Sequence, residues 1–383
     1  MTAPTSRGNL LPYSSAHRSL DSGIRLPGRE LRRRSIIERE FAMTREDQLI
    51  ERIRRAVPSV WGPSKRGVRL GIGHDAALLA AGGGFGWAVS CDAFLEGIHF
   101  FADRHPPDSV GYKSLARAAS DLVAMGAKPA YFLLTLGLPA KRTKGWLENF
   151  LRGVARAARS LDMRLIGGDT TKARWITANL TVFGRLETES VVGRTGARPG
   201  DRLYVSGTLG RAQLGLELMR RGYSRKRALA PQLAPHLYPV PPVELGMWLV
   251  RNRVPSAMMD LSDGLSTDLT RLCRASGVGA RIRAERIPAV SISPLVRKIL
   301  GHAAPALTSR KMALDGGDDY QLLFAVPPRR QPKLRKAPGF SRLTCIGETT
   351  RDRRVLIRDE HGRTRRLDPA GWDPFRQKRP KKT

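Results

Sequence analysis

Short apolar runs alternate along the chain with segments of helical periodicity, and this alternation restricts the possible folds more than any other feature. Strands are predicted at Val68–Ile72, Trp87–Cys91, Tyr131–Leu138, Arg164–Ile166, Ile176–Arg185, Arg202–Ser206, Ala280–Ile282, Gln321–Val326 and Leu343–Ile346. Helices are predicted at Ser109–Met125, Lys144–Ser160, Ala212–Arg220, Val243–Val250 and Gly264–Ala275. Because several strands follow one another between helices, the order predicts an α+β chain rather than a regular doubly wound sheet.

The length and composition are sufficient for two domains. The chain has 383 residues, of which 41% are hydrophobic, and this supports a sizeable core. Thr44 and Asp47 form a capping-box pattern that opens a helix, and the segment Gly193–Gly200 is the predicted hinge. The predicted division is a basic, disordered extension over 1–42, an N-terminal α/β domain over 43–192, a C-terminal α/β domain over 193–375 and a basic tail over 376–383.

Several classes of protein are disfavoured by composition. The three cysteines have no metal-ligand spacing, which argues against a disulfide framework or a structural zinc site. No apolar run approaches the roughly 18–20 residues that span a bilayer, and the first residues have no signal-peptide core. We therefore expect a cytoplasmic protein without membrane partners.

The charge is unusually positive, with 67 Lys and Arg residues against 34 Asp and Glu residues and a net charge of +33. Such a charge attracts polyanions, so nonspecific nucleic-acid binding at low salt is expected. Only 6% of residues are aromatic, and no nucleic-acid-binding motif is present. A dedicated nucleic-acid role is therefore not favoured.

The scarce aspartates lie beside glycines in apolar surroundings. They are Asp75, Asp92, Asp121, Asp169, Asp260, Asp263, Asp318 and Asp319. Several follow predicted strands, where a loop can direct a carboxylate into a cleft, whereas Asp121 lies within an alanine-rich predicted helix. If the carboxylates converge, their mutual repulsion calls for cations. Oxygen ligands without an accompanying His/Cys set select Mg²⁺, and Mg²⁺ commonly bridges carboxylates and substrate phosphates.

The chain has neither a P-loop nor a G-x-G-x-x-G motif. Instead, the segments GIGHD, IGGDTT, VSGTLG and DGGDD are predicted to be glycine-rich turns whose backbone N–H groups approach phosphate oxygens. No Ser-His-Asp or Cys-His constellation is evident either, so no covalent nucleophile is predicted. The sequence thus favours phosphate chemistry that depends on carboxylates and metal ions.

The motifs, taken in order, resemble the thiamine-monophosphate kinase family of the aminoimidazole ribonucleotide synthetase-like ATP-binding superfamily. They are GIGHDAALL, DAFLEGIHF, GYKSLARAASDLVAMGAKP, LIGGDTT, GARPGDRLYVSGTLG, HLYPVPPVELG, DLSDGLSTDL, SGVGARI, LDGGDDYQLLFAVP and CIGETT. The resemblance runs from about Thr44 to Phe375. It implies direct in-line transfer of the ATP γ-phosphoryl group to thiamine monophosphate, giving thiamine diphosphate. It also implies two α/β domains and an N-terminal sheet that pairs with its copy in a homodimer.

The same resemblance implies roles for individual residues. Several Mg²⁺ ions would be held by Asp75, Ser90, Cys91, Asp92, Asp121, Asp169, Asp260 and Asp263, with Cys91 offering at most its backbone carbonyl. ATP would contact Gly168, Asp169, Arg194 and Ser262, and thiamine monophosphate would contact His99, Asp318 and Trp372. The chain departs from the family pattern at His74, where an aspartate is usual, at Cys91, where a threonine is usual, and at Asp318, where a glutamate is usual.

Two alternatives remain open. One is another ATP-dependent enzyme of the same superfamily, although no Cys-Lys stands in a glycine-rich N-terminal segment, as selenophosphate synthetase requires, and the chain ends in KRPKKT rather than the cysteine of the hydrogenase-maturation type. The other is a basic nucleic-acid-binding protein that retains a degenerate kinase fold. ATP- and Mg²⁺-dependent product formation at moderate salt distinguishes the kinase from the nucleic-acid binder, whose affinity falls steeply with salt.

Overall fold

The computed structural model describes residues 43–57, 67–81, 86–186, 191–301 and 308–376. The predicted extension over 1–42 and the tail after Arg376 lie outside these ranges. The helices are α1 (Arg45–Ala56), α2 (Pro107–Ala124), α3 (Gly145–Ser160), α4 (Arg211–Arg220), α5 (Ala230–Leu237), α6 (Val243–Arg251), α7 (Leu265–Ser276), α8 (Pro294–Leu300) and α9 (Ser309–Asp315). The strands are β1 (Val68–Leu70), β2 (Ala77–Ala80), β3 (Gly86–Leu95), β4 (Lys128–Leu138), β5 (Arg164–Lys172), β6 (Thr177–Leu186), β7 (Arg202–Ser206), β8 (Ala257–Leu261), β9 (Gly279–Arg283), β10 (Gln321–Val326), β11 (Leu343–Thr350), β12 (Val355–Arg358) and β13 (Thr364–Arg366).

The N-terminal sheet has the strand order β1-β2-β3-β6-β4-β5, and its pairs are antiparallel except for β4 with β5. Helix α2 packs against the sheet and against α3. The two helices approach closely because Gly111 and Gly153 have no side chains: a Cβ on Gly111 would lie 2.0 Å from the Phe150 carbonyl oxygen, and one on Gly153 would lie 1.8 Å from that of Asp108. Glycine at these positions therefore lets α2 sit deep in the core.

The C-terminal sheet has the strand order β13-β12-β9-β11-β7-β10-β8. Strand β8 lies at the edge of this sheet, yet every one of its residues is buried, because α2 packs along it. Val123 and Ala124 at the end of α2 share an apolar cluster with Leu249 of α6 and with Phe324 of β10. Helix α2 thus contacts both sheets, and residues along it lie between the two halves of the chain.

The α+β architecture predicted from the sequence is confirmed, and β7 and β10 have their predicted bounds. The predicted turn over Gly167–Thr171 is wrong: these residues continue β5, because parallel pairing with β4 extends to Lys172. Asp92 likewise lies inside β3 rather than after a strand, since β3 pairs with β6 along its whole length. Residues 191–201, around the predicted hinge, contain neither helix nor strand, and the domain bounds themselves stay predictions.

Some elements were not predicted at all. Strands β2, β8, β12 and β13 are short, and their apolar residues give too little alternation to distinguish them from loops. Within the described ranges, no helix combines the length and apolar character needed to cross a membrane.

Candidate active site

Three carboxylates from different parts of the chain meet between the two sheets. Asp75 precedes β2, Asp121 lies on α2, and Asp260 lies in β8. Carboxylate oxygens of the three all fall within 4.8 Å of one another. Asp75 Oδ2 is buried and has no hydrogen-bond partner in the described structure. An orphaned carboxylate oxygen that faces two further carboxylates is the arrangement expected of a site for a hard divalent cation.

Neighbouring side chains orient these carboxylates. Ser90 Oγ donates to Asp121 Oδ2 at 2.5 Å, and Ser120 Oγ donates to Asp260 Oδ2 at 2.5 Å. The Arg194 guanidinium donates to Asp75 Oδ1 through Nη2 at 2.8 Å and through Nε at 3.2 Å. Each carboxylate therefore keeps a fixed direction, and the ion pair with Arg194 offsets part of their combined charge.

The negative charge that Arg194 does not offset changes the pKa values of the other carboxyl groups in the cluster. Burial and the neighbouring carboxylates raise the pKa of Asp121 well above its usual value. Burial and Asp75 also raise the pKa of Asp260. Ser90, Ser120 and Arg194 do not offset these effects, so the cluster favours either protons or a bound cation. The donor set fits Mg²⁺, since it consists of oxygens with no His or Cys ligand.

Asp92 lies beside this cluster and pairs with Arg117, a residue that was not predicted from the sequence. Alternation along β3 places Asp92 on the same face as Ser90 and Cys91 on the other, and the Cys91 thiol accepts a hydrogen bond from Thr181. Arg117 Nε lies 3.1 Å from Asp92 Oδ2. The Arg117 guanidinium is thus held next to the carboxylates, where it can also meet a phosphate oxygen.

A second charge pair lies two turns earlier on α2 and joins a buried lysine to a partly exposed carboxylate. Lys113 Nζ donates to Asp318 Oδ2 at 2.7 Å, and Tyr320 Oη donates to Asp318 Oδ1 at 2.6 Å. Burial alone would raise the pKa of Asp318, but the Lys113 charge and the hydrogen bonds from Lys113 and Tyr320 outweigh it and hold the pKa well below its usual range. Asp318 has a left-handed backbone with φ 68°, a conformation that a non-glycine residue adopts at some cost. The carboxylate is therefore ionised and fixed in direction.

His99 is neutral in this structure. Burial, helped by the nearby Arg117 charge, lowers the pKa of His99 to about 4. Its Nδ1 accepts a hydrogen bond from the backbone N–H of Leu95 at 3.0 Å, so the ring proton resides on Nε2. The imidazole stacks on Phe94. His99 consequently offers an N–H donor from a ring that is held in place on two sides.

Other predicted residues lie outside the three-carboxylate cluster. Asp263 forms an ion pair with Arg271, and Trp372, 41% exposed, donates its backbone N–H to the Asp263 carbonyl at 2.8 Å. The Ser262 carbonyl accepts the backbone N–H of Asp318. Backbone hydrogen bonds thus join Trp372 and Asp318 to residues 262–263. Residues 262–263 follow Asp260 closely along the sequence, which connects them to the cluster.

Gly168 and Asp169 lie on the exposed strand β5. The Gly168 backbone, with φ 154°, passes so close to β4 that a Cβ would lie 1.9 Å from the Leu134 carbonyl oxygen. Only glycine fits there. Asp169 Oδ1 accepts the backbone N–H of Thr170 at 2.8 Å, and its carboxylate is not among the three that converge.

Sequence reasoning missed Lys113, Arg117 and Ser120, all of which lie on α2. A signal was available: positions 113, 117, 120 and 121 follow the i, i+4, i+7 and i+8 spacing of one helix face. Polar residues on that face stood out in an otherwise alanine- and leucine-rich helix. His74, the departure in the first motif, accepts the backbone N–H of Arg194 at 3.2 Å through Nδ1, and burial lowers its pKa.

Comparison with family models divides the chain in the same way as the two sheets. The model described as the N-terminal domain of AIR synthase related protein matches residues 73–186. The model described as the C-terminal domain of AIR synthase related protein matches residues 198–359. The first match contains Asp75 and Asp121 and the second contains Asp260, so the carboxylate cluster joins the two.

Similar proteins extend this result to nearly full length. The thiamine-monophosphate kinase of Escherichia coli (strain K12) is 37% identical over 316 residues, which cover 82% of this chain and 94% of that protein. A solved structure of AaThiL complexed with AMPPCP and TMP aligns with a TM-score of 0.72 and 30% identity, covering 87% of this chain and 99% of that one. The thiamine-monophosphate kinase from Stenotrophomonas maltophilia K279a aligns with a TM-score of 0.62 and 33% identity, covering 82% and 96%.

Proposed function

The chain belongs to the thiamine-monophosphate kinase family, and we propose on that premise that it transfers the γ-phosphoryl group of ATP to thiamine monophosphate. The products are thiamine diphosphate and ADP. The observation that carries the proposal is the convergence of Asp75, Asp121 and Asp260 from both halves of the chain. Such a cluster suits the joining of two phosphate-bearing substrates, whose negative charges must be neutralised before they can approach.

We propose Mg²⁺ as the cation of this cluster. Asp75, Asp121 and Asp260 would hold it, because their oxygens converge and one of them is orphaned. Ser90, Asp92, the Cys91 carbonyl, Asp169 and Asp263 are proposed to hold further ions. When bound, Mg²⁺ neutralises phosphate charge and aligns the phosphoryl group for transfer.

The protein's own residues would then position the nucleotide. Arg194 is held against Asp75, and once a metal shares that carboxylate, its guanidinium can contact phosphate oxygens. Gly168, Asp169 and Ser262 are proposed to line the rest of the ATP site. Glycine at 168 keeps the strand surface open, which lets a ligand approach the backbone.

Transfer itself needs no strong base. The attacking oxygen belongs to the phosphate of thiamine monophosphate, which is already ionised at neutral pH. It forms a bond to the γ-phosphorus while the bond from that phosphorus to the bridging oxygen of ADP breaks. Because the acceptor supplies its own nucleophile, we propose direct in-line transfer without a phosphoenzyme.

The acceptor would be held by His99, Asp318 and Trp372. His99 offers an N–H donor from Nε2, and Asp318 offers an ionised carboxylate. Trp372 presents a partly exposed ring, which can stack on a heteroaromatic substrate. An ionised carboxylate also suits the permanently cationic thiazolium ring of the substrate.

A homodimer is proposed from the edge of the N-terminal sheet. Strand β5 is the last strand of that sheet, all of its residues are exposed, and Leu165 and Ile166 are each 56% exposed. An exposed edge strand that carries apolar side chains is a site for pairing with a second copy. Sedimentation velocity should show a dimer that Ile166→Lys converts to a monomer; a monomeric wild type would contradict this. The cytoplasmic location stays a prediction.

The deciding experiment incubates the full chain with ATP, Mg²⁺ and thiamine monophosphate at moderate salt, with chromatography of the products. We expect thiamine diphosphate and ADP in equal amounts. ADP formation only with a different acceptor would indicate another enzyme of the superfamily. No diphosphate from a folded protein would refute the proposed function. RNA added as a competitor should not abolish turnover at moderate salt, because nonspecific polyanion binding weakens there.

A further inference from the structure

A buried polar chain begins at Asp318 and leads away from the carboxylate cluster. Lys113 Nζ contacts Asp318 Oδ2 at 2.7 Å and His236 Nδ1 at 3.2 Å. His236 Nε2 in turn lies 3.1 Å from His105 Nε2. The exposed fractions of Lys113, His236 and His105 are only 1%, 1% and 4%. The proposed reaction gives none of these three residues a direct role.

The hydrogen-bond directions in this chain are fixed by elimination. Lys113 is donor only, so His236 accepts at Nδ1 and carries its ring proton on Nε2. His236 must then donate to His105 Nε2, which leaves the His105 proton on Nδ1. That atom lies 3.2 Å from the Phe101 carbonyl oxygen and 3.1 Å from the Phe101 backbone nitrogen, and with His105 Nε2 accepting from His236 it donates to the carbonyl oxygen. Both rings are neutral, because burial and the Lys113 charge lower the pKa of His105 to about 4 and that of His236 well below its usual value.

The two ends of this hydrogen-bonded series of side chains, Asp318 and His105, lie in different halves of the molecule. Asp318 belongs to the loop before β10, in the C-terminal half, and His236 lies on α5. His105 and Phe101 belong to the segment between β3 and α2, in the N-terminal half. This segment also carries His99, whose Nδ1 is held by Leu95 at its base.

We propose that Lys113, His236 and His105 are positioning residues that set Asp318 and His99 at a fixed separation for the acceptor substrate. The proposal rests on the proposed function, because it assigns the acceptor to those two residues. Three buried polar side chains in a row are costly unless each is satisfied, and apolar residues would pack the same space with less penalty. Their directional contacts instead hold two substrate-facing groups from opposite halves in one geometry.

The contacts among Lys113, His236 and His105 also explain why Asp318 is ionised without a metal. Lys113 supplies the compensating charge, and His236 occupies a second proton of Lys113, which keeps the ammonium aimed at the carboxylate. Loss of His236 would leave the ammonium in place but free to turn, and loss of His105 would leave the His236 ring without the partner that orients it. In either case the separation of Asp318 and His99 would no longer be fixed. The expected result is weaker binding of the acceptor with little change in ATP binding.

The test compares steady-state kinetics of His236→Phe, His105→Phe, the double variant and the wild type, with each substrate varied in turn. We expect KM for thiamine monophosphate to rise about tenfold in either single variant, with kcat changed less than about twofold and KM for ATP unchanged. Because either substitution alone interrupts the hydrogen-bonded series, the double variant should raise KM for thiamine monophosphate no further than the single variants do. Gln232→Leu is the matched control on α5, and it should behave as wild type.

His236→Gln gives the rescue arm, since its amide can accept from Lys113 and donate to His105. We expect KM within about threefold of wild type. Additive effects of the two Phe substitutions, equal rises in both KM values, or no rise at all would overturn the positioning role. Should His236→Phe fail to fold, His105→Phe decides, because it breaks the same chain at its other end. Wild type that makes no thiamine diphosphate would refute the proposed function instead, and this outcome is separate.

Discussion

The two ends of one face of α2 handle buried charge in opposite ways. Near the end of the helix, Asp121 faces Asp75 and Asp260, and burial with these like charges raises its pKa. Two turns earlier, Lys113 faces Asp318, and the pKa of that carboxylate is lowered well below its usual range. Eight residues of helix separate the two sites by about 12 Å.

The difference shows which site the protein completes by itself. At the Lys113 end, cation and anion come from the same chain, so the site is finished on folding. At the Asp121 end, Arg194 offsets only part of the charge, and the remainder calls for an external cation. A metal should therefore change the behaviour of the Asp121 end of α2 and leave the Lys113 end unaffected.

Removal of one cluster carboxylate should give the largest effect. In Asp121→Asn, we expect kcat/KM for thiamine diphosphate formation to fall by about 10³-fold, because an electrostatic contact at the reacting phosphates is lost. Mg²⁺ should raise the thermal midpoint of the wild type by mass action and should do so much less in the variant. Product formation and thermal unfolding, each with Mg²⁺ or chelator, measure the two quantities.

Asp108→Asn is the matched control for this experiment, because Asp108 lies on the same helix but pairs with Arg156 and Tyr238. Its response to Mg²⁺ should equal that of the wild type. Near-normal turnover of Asp121→Asn would remove Asp121 from the metal-binding set and erase the contrast between the two ends of α2.

The Asp121 end of this comparison was predictable from the sequence, while the Lys113 end was largely hidden. Asp75, Asp121 and Asp260 stood out because acidic residues are scarce in this chain and each lies in apolar surroundings. Their convergence could not be derived from composition, since it depends on α2 packing along the edge strand β8, a strand that the sequence pattern did not reveal.

Lys113 shows most clearly which contacts cannot be predicted from the sequence. One lysine among 67 basic residues carries no signal of its own, and its importance comes from partners 123 and 205 positions away, His236 and Asp318. Helix α5, which carries His236, is short and contains Pro235, so propensity alone would not place a helix there. Local periodicity predicts elements, whereas such long-range pairs depend on how the elements pack.

Loss of the built-in cation should have the next largest effect. In Lys113→Met, we expect the free energy of unfolding to fall by about 2–3 kcal/mol, below the roughly 3–5 kcal/mol typical of a fully buried pair, because the Asp318 side chain is 32% exposed. The loss should be the same with Mg²⁺ or chelator. Urea unfolding in both conditions measures it. Rescue of Lys113→Met by Mg²⁺ would show that the two ends are not independent.

The smallest expected effect concerns pH at the far end of the polar chain. His105 faces Lys113, His236, Asp318 and Asp103, and burial with the Lys113 charge lowers its pKa from 6.5 to about 4. The folded state therefore binds fewer protons than the unfolded state between these values, so the stability that neutral His105 provides is complete above pH 6.5 and is lost as the pH falls toward 4. Between pH 6.5 and 5.5 this share is about 1 kcal/mol.

His105→Phe cannot take up that proton, so its free energy of unfolding should fall about 1 kcal/mol less than that of the wild type over the same interval. Urea unfolding at pH 7.5, 6.5 and 5.5 tests this, with His361→Phe at an exposed position as the control that keeps the wild-type dependence. Parallel pH dependence of wild type and His105→Phe would mean that His105 accepts a proton as readily in the folded protein as in the unfolded chain. The contacts at the Lys113 end of α2 would then be less specific for a single positive charge than the geometry indicates, because His236 and His105 would tolerate a second positive charge beside Lys113.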